Sequence, residues 1–331
     1  MKNIKNYILF IFIIIFLILL LAYFNNFLNN NTGENYTEFN LNNLPEGFGI
    51  GYYKDIDGTM PINHTEYLQN NEFNGHIKMI NGYKTQNNQY LMLALLDYKI
   101  VPVYYNGIIS AKHLFNLSPM ESIIYPYKMA NISAGYHDMM ILNFKNPDNH
   151  STNISDRLNT YSQMGNVRFN AIVENNNTKP LLNYNNSIKN ILIEDNNTSN
   201  SFDGLLINKE PFSSNVWLCE NVTKNEILNY YINIGNYNSD NKTYAIIQLL
   251  DYDQIPITSN DPEYIYYGQI QNNESASIPA NLKVPDKKGV YELIVIFVAN
   301  PYEQLEVNPG VQNSGINTLV ESSLRIELNV T

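Results

Sequence analysis

The chain has 331 residues, which suggests about two domains, and 44% of them are hydrophobic, enough to build real cores. Charged residues make up only 15%, and the net charge is −11. That balance excludes a nucleic-acid binder working through a basic surface, and it argues against docking on an anionic membrane through a basic face.

The chain opens with a cytoplasmic stub, residues 1–7, carrying Lys2 and Lys5. Residues 8–24 read ILFIFIIIFLILLLAYF, an uncharged run of 17. As a helix it would be about 26 Å long, just enough to cross a bilayer. Tyr7 and Tyr23 stand where interface aromatics belong, and no Lys or Arg follows until Lys54. The positive-inside rule then puts residue 1 in the cytoplasm and the bulk outside. A cleaved secretory signal is the competing reading, but it calls for a shorter apolar run and a small-x-small site. The sequence favours an uncleaved signal anchor, so the lipid bilayer is the first expected partner.

Residues 25–43 are polar and low in complexity, and read as a flexible spacer. Beyond them one stretch occurs twice. Residues 80–103 (INGYKTQNNQYLMLALLDYKIVPV) align without a gap to residues 234–257 (IGNYNSDNKTYAIIQLLDYDQIPI), 154 positions later. Nine of the 24 positions are identical, among them Tyr90/Tyr244, Asp97/Asp251, Tyr98/Tyr252 and Pro102/Pro256. This reads as an internal duplication.

The first copy spans residues 44–174. Asn74-Gly75, Asn81-Gly82 and Asn106-Gly107 suit tight turns that need positive φ. Between them run short stretches rich in Ile, Val, Leu and Tyr. Leu91, Leu93 and Leu95 alternate with Tyr90, Met92 and Ala94, and the copy gives Ala245, Ile247 and Leu249 against Tyr244, Ile246 and Gln248. The Leu91 face is apolar in both copies and is assigned to the core. Residues 135–144 match 289–297, and both lead into Asn-Pro (Asn146-Pro147, Asn300-Pro301). The last strands, residues 166–173 and 323–330, match at a spacing of 157. Val167, Phe169, Ala171 and Val173 alternate with Arg168, Asn170 and Ile172, which predicts a strand with one face buried. Arg168 and Arg325 hold equivalent places among only three arginines. Each is expected to face outward and pair with a carboxylate on a neighbouring strand.

Residues 175–201 form a candidate linker, in which 188–193 suggest a short extra strand. The second copy spans residues 202–331. Neither copy holds a convincing amphipathic helix. The pattern predicts an all-β ectodomain of two tandem Ig-like β-sandwiches behind one transmembrane helix.

Asn-x-Ser/Thr occurs 15 times: Asn30, Asn35, Asn63, Asn116, Asn131, Asn149, Asn153, Asn176, Asn185, Asn196, Asn197, Asn221, Asn241, Asn273 and Asn329. With 56 Asn and 33 Ser plus Thr in the chain, random order gives roughly six. The excess points to an N-glycosylated exterior, set against Asn-rich loops as the plainer account.

Signs of chemistry are sparse. The five histidines (His64, His76, His113, His137, His150) show no metal-ligand spacing, and His137 stands at a strand position where the copy has Tyr291. Asp55-Ile56-Asp57-Gly58 resembles a calcium-loop core, but Tyr53 and His64 would fill the first and twelfth positions, so a side-chain-stabilised turn is expected. Cys219, the single cysteine, rules out an intrachain disulfide and is expected as a buried thiol near Trp217. Asp97 and Asp251 recur in both copies, which is read as structural. No catalytic residue, metal ligand or cofactor is expected.

Residues 231–257, with Asn233-Ile234-Gly235-Asn236 as the turn after a strand, resemble the CARDB-like and related Ig-like modules of prokaryotic surface proteins. The anchor, the sequons and the Asn/Ile/Tyr bias are similar to cell-surface proteins of methanogenic archaea. The resemblance implies an Ig-like fold, a surface setting and no catalytic residues. The leading expectation is a non-enzymatic, membrane-anchored surface protein for adhesion, envelope architecture or protein–protein contact, whose partner is a surface protein or a glycan. The alternative is a carbohydrate-binding module, motivated by 26 tyrosines. Tyrosines exposed along one face would favour it, and buried tyrosines would remove its support. A hydrolase with a divergent site is a third reading.

Overall fold

The structure is a computed structural model. It describes residues 46–331 except 63, 152, 175, 183, 185–190, 196–201, 238–239, 261–262 and 306–318. Residues 8–24, the spacer, and the sequons at Asn30, Asn35, Asn63, Asn185, Asn196 and Asn197 lie outside the described residues. Among the described residues no helix is long and apolar enough to cross a membrane.

The described chain is almost entirely β. The first half carries β1 (Phe48–Tyr53), β2 (Thr65–Leu68), β3 (Glu72–Asn81), β4 (Asn88–Leu96), β5 (Lys99–Ile100) and β6 (Val103–Tyr105). It continues with β7 (Ile108–Ser110), β8 (Lys112–Leu117), β9 (Ser122–Ala130), β10 (Gly135–Lys145), a six-residue helix α1 (Ile154–Asn159), and β11 (Met164–Val173). The second half carries β12 (Leu192–Asp195), β13 (Gly204–Asn208), β14 (Cys219–Val222), β15 (Ile227–Asn236), β16 (Lys242–Leu250) and β17 (Asp253–Ile255). It ends with β18 (Ile265–Ile270), β19 (Glu274–Lys283), β20 (Gly289–Ala299), β21 (Val320–Ser322) and β22 (Ile326–Val330).

These strands make four sheets. The first has the order β1-β3-β9-β6-β7 and the second β2-β11-β10-β4-β5, with β8 on β4. The third has the order β12-β19-β15-β13 and the fourth β14-β22-β20-β16-β17, with β18 on β16 and β21 on β20. Pairing is antiparallel except for β2 with β11 and β14 with β22. Strand bounds keep the sequence spacing: β4 and β16, and β10 and β20, are each offset by 154.

Sheets one and two enclose one core, which includes Tyr52, Ile77 and Tyr127 from the first and Met92, Ile141 and Phe169 from the second. Sheets three and four enclose another, with Ile232 and Ile278 against Ile246, Val295 and Leu328. A third core joins the sandwiches. Leu91, Leu93, Leu95, Met140, Leu142 and Phe144 pack with Ala245, Ile247, Leu249, Ile294, Ile296 and Val298. The second and fourth sheets therefore pack back to back, and each is buried on both faces.

That arrangement corrects three expectations. The Leu91–Leu93–Leu95 face lines the third core, while Tyr90, Met92 and Ala94 line the sandwich's own. The last strands are not one-sided: Arg168, Asn170 and Ile172 are buried because the neighbouring sandwich covers them. The linker does contribute a strand, but it is β12, which extends the third sheet along β19.

Two glycine positions also differ from expectation. Gly75 lies within β3, where a Cβ would stand 2.5 Å from Tyr52 Oη, so it serves close packing rather than a turn. Gly235 lies within β15, where a Cβ would stand 2.0 Å from the Phe202 carbonyl oxygen, so Asn233–Asn236 is strand rather than turn. Asn106-Gly107 is the expected turn, with φ of 46° and 83°.

Candidate functional site

The repeated LLDY sequence forms the turn after β4 and again after β16. Asp97 and Tyr98 have φ of 51° and 66°, and Asp251 and Tyr252 have 49° and 62°. Left-handed backbone is strained for such residues, so tertiary contacts must hold it. The aspartates do so. Asp97 accepts from the Asp138 amide at 3.1 Å and Asp251 from the Glu292 amide at 2.9 Å. The tyrosines point into the third core, where the Tyr98 hydroxyl donates to the Asp138 carboxylate and the Tyr252 hydroxyl lies 3.2 Å from that of Glu292. Asp138 and Glu292 are again 154 positions apart.

Each carboxylate holds an arginine. Arg168 Nε lies 3.0 Å from both Asp138 oxygens. Arg168 then crosses to the second sandwich, donating to the Ala299 and Asn300 carbonyls at 2.6 and 3.0 Å. Arg325 crosses the other way, donating to the Lys145 and Asn146 carbonyls at 2.6 and 3.0 Å. Its Nη1 lies 3.8 Å from Glu292. Arg157, on α1, completes the second site: it donates to Glu292 at 2.8 Å and to the Arg325 carbonyl at 2.6 Å. All three arginines are thus buried between the sandwiches. Arg168 and Arg325 do pair with carboxylates on neighbouring strands, but they face the other sandwich rather than solvent. The Asn-Pro turns supply the acceptors. Asn146 and Asn300 adopt φ of 49° and 46°, which turns their carbonyls toward the opposite arginine.

His137 is the nearest approach to a catalytic constellation among the described residues. Its Nδ1 lies 2.7 Å from Asp97 Oδ2, and its Nε2 lies 3.5 Å from Ser133 Oγ. Nε2 also lies 2.9 Å from the Ser133 carbonyl. A carbonyl and a carboxylate only accept, so both ring nitrogens carry protons and neither is left to take one from Ser133. Burial alone would lower the His137 pKa, but the hydrogen bond and charge of Asp97 and the Ser133 carbonyl raise it. The arrangement is an imidazolium–carboxylate pair, not a nucleophile and base. His113 is structural as well: its Nε2 lies 3.1 and 3.0 Å from the Val103 and Ser110 carbonyls.

Asp55 forms the expected turn, accepting from the Thr59 and Met60 amides at 3.1 and 2.8 Å. Cys219 is exposed, contrary to expectation. It lies on β14, paired only along β22, where Val222 turns inward and Cys219 outward. Partial burial and the nearby Glu327 carboxylate raise its thiol pKa. Trp217 is the buried residue there, its ring N–H donating to Glu220 at 3.0 Å.

Most described tyrosines are core residues, including Tyr52, Tyr90, Tyr98, Tyr127, Tyr230 and Tyr244. The exposed ones, Tyr67, Tyr104, Tyr184, Tyr237 and Tyr264, are scattered over separate elements. This removes the support for the carbohydrate-binding alternative.

The described sequons all reach the outer surface. Asn116, Asn131, Asn149, Asn153, Asn176, Asn221, Asn241 and Asn329 are exposed, and Asn273 is half-buried. Asn153 also caps α1, accepting from the Ser155 amide at 2.8 Å. Asn221 and Asn329 face each other across β14 and β22, with amides 3.0 Å apart.

No protein-family model matches the chain, and no curated relative matches it. Among solved structures, a member of the MSP family from C. elegans is similar at 7% identity and TM-score 0.21, over 33% of this chain and 92% of its own. The CARDB domain of a Pyrococcus furiosus protein, solved with di-metal ions, is similar at 14% identity and TM-score 0.22, over 40% of this chain and 97% of its own.

Proposed function

We propose that this chain is a non-enzymatic, membrane-anchored surface protein whose two sandwiches arose by tandem duplication and present a rigid body for protein contact. Residues 8–24 serve as the anchor, with residue 1 in the cytoplasm and residues 44–331 outside. Adhesion and envelope architecture are the roles that suit such a body.

One observation carries the reading. The residues repeated in both halves (the LLDY turns, the Asn-Pro turns and the paired arginines) are consumed in joining the halves to each other. The repeat thus built an architecture, and exposed sequons decorate its outside.

Protease added to intact cells tests the orientation. A tag at residue 331 should be lost while a tag at residue 1 survives; protection of both, or the reverse pattern, overturns it. The hydrolase reading is tested in parallel. Labelling of Ser133 by a fluorophosphonate would contradict the non-enzymatic account.

A further inference from the structure

We propose that Asn131 carries an N-linked sugar chain whose first residues lie in the groove beside β6 and β7, covering apolar side chains that the first sandwich leaves in water. The proposal rests on the glycosylated exterior read above.

The groove is a fault in an otherwise well-sealed surface. β7 ends the first sheet and pairs only with β6 among the described strands. Ile108 and Ile109 are 62% and 74% exposed, and Tyr104 is 37% exposed. An apolar, unpaired strand edge invites association with other chains unless something covers it. Beside it runs a groove of about 530 Å³ lined by Val101, Pro102, Tyr104, Ile109 and Met129, and by Asn131 itself.

The second sandwich provides an internal control. Its corresponding connection, residues 256–264, reads PITSNDPEY, and its described residues form no strand before β18. The place matching Asn131 is Pro285, and no sequon stands there. The apolar edge and the acceptor asparagine occur together in one sandwich, and neither occurs in the other. The fold therefore does not demand the exposed isoleucines.

Asn131 is suited to accept. It sits after β9 with φ of 60°, a conformation asparagine tolerates, and its side chain is exposed. Among the described residues none hydrogen-bonds its amide. A sugar presents apolar ring faces to Tyr104 and Pro102 and hydroxyls to the open N–H and C=O groups of β7. A hydrocarbon occupant would leave those groups unpaired. In the transfer, Asn131 Nδ2 bonds to the anomeric carbon of a lipid diphosphate-linked oligosaccharide. The bond from that carbon to the phosphate oxygen breaks, the lipid diphosphate leaves with the electron pair, and the amide proton passes to a base of the transferring enzyme.

The test uses full-length protein from its native membrane. Peptide mass mapping should find sugar on Asn131. The variant Ser133→Ala removes the acceptor motif but keeps Asn131 and the carbonyl that binds His137; it should bind several-fold more of a hydrophobic dye. Adding Ile109→Ser should reverse the increase. Removing sugar from the folded wild-type protein gives the same reading without substitution. Bare Asn131 beside other occupied sequons overturns the proposal and leaves the glycosylated exterior standing. Bare asparagine throughout overturns both. Occupied Asn131 with unchanged dye binding after removal overturns the covering role. So does a photo-crosslink from position 109 to a polypeptide instead of sugar.

Discussion

Arg168 and Arg325 make the same bond in opposite directions. Each leaves its own sandwich and donates twice to the carbonyls that precede a proline in the other: Ala299 and Asn300 for Arg168, Lys145 and Asn146 for Arg325. The contact is self-complementary, as in a two-fold dimer, but here within one chain.

The first prediction follows from burial. Glu292 is fully buried and faces Arg157, Arg325 and the Tyr252 hydroxyl. Removing one partner of such a group leaves a charge stranded, at a cost of about 3–5 kcal/mol. Glu292→Leu should lose that much in denaturant unfolding, and a loss below about 1 kcal/mol would contradict the assignment.

The second concerns pH. The folded-state pKa of His137 is raised by Asp97 and the Ser133 carbonyl. Its stabilising contribution is therefore complete below the unfolded value of about 6.5 and is lost as pH rises through the folded value. The stability gap between wild type and His137→Gln should be widest in mild acid and shrink toward pH 8. A gap that grows with pH would be the wrong sign.

A third prediction targets Asn143. It is 1% exposed, both its amide atoms lack a hydrogen-bond partner, and the second sandwich has Phe297 in its place. An unsatisfied buried amide costs about 1–3 kcal/mol. Asn143→Leu should raise the unfolding midpoint; a lowered midpoint would show that a buried water satisfies the amide.

Asn221 and Asn329 give a fourth. Their amides share one hydrogen bond on neighbouring strands. A sugar on one should exclude a sugar on the other, so intact peptides from single molecules should show one occupied site at most. Double occupancy would refute it.

Much of this fold is legible in the sequence. Period-two alternation and the 154-residue spacing locate β4, β10, β11 and their counterparts. Alternation says that a strand has two faces, not which sheet each face meets. In β4 both faces are apolar, so the Leu91 face was open to either core. Arginine usually marks solvent, and only the covering sandwich makes Arg168 and Arg325 interior. The interior role of Arg157 had no signal, since it depends on where α1 lands. Gly75 and Gly235 look like turn residues, yet they answer to close packing that only tertiary structure reveals.

The central claim is that the two sandwiches are one body, sealed by an apolar core and the reciprocal arginines. Calorimetric unfolding of the full chain in detergent tests it most directly. The account predicts one transition whose calorimetric and van't Hoff enthalpies agree. Two separate transitions, one for each sandwich, would contradict it.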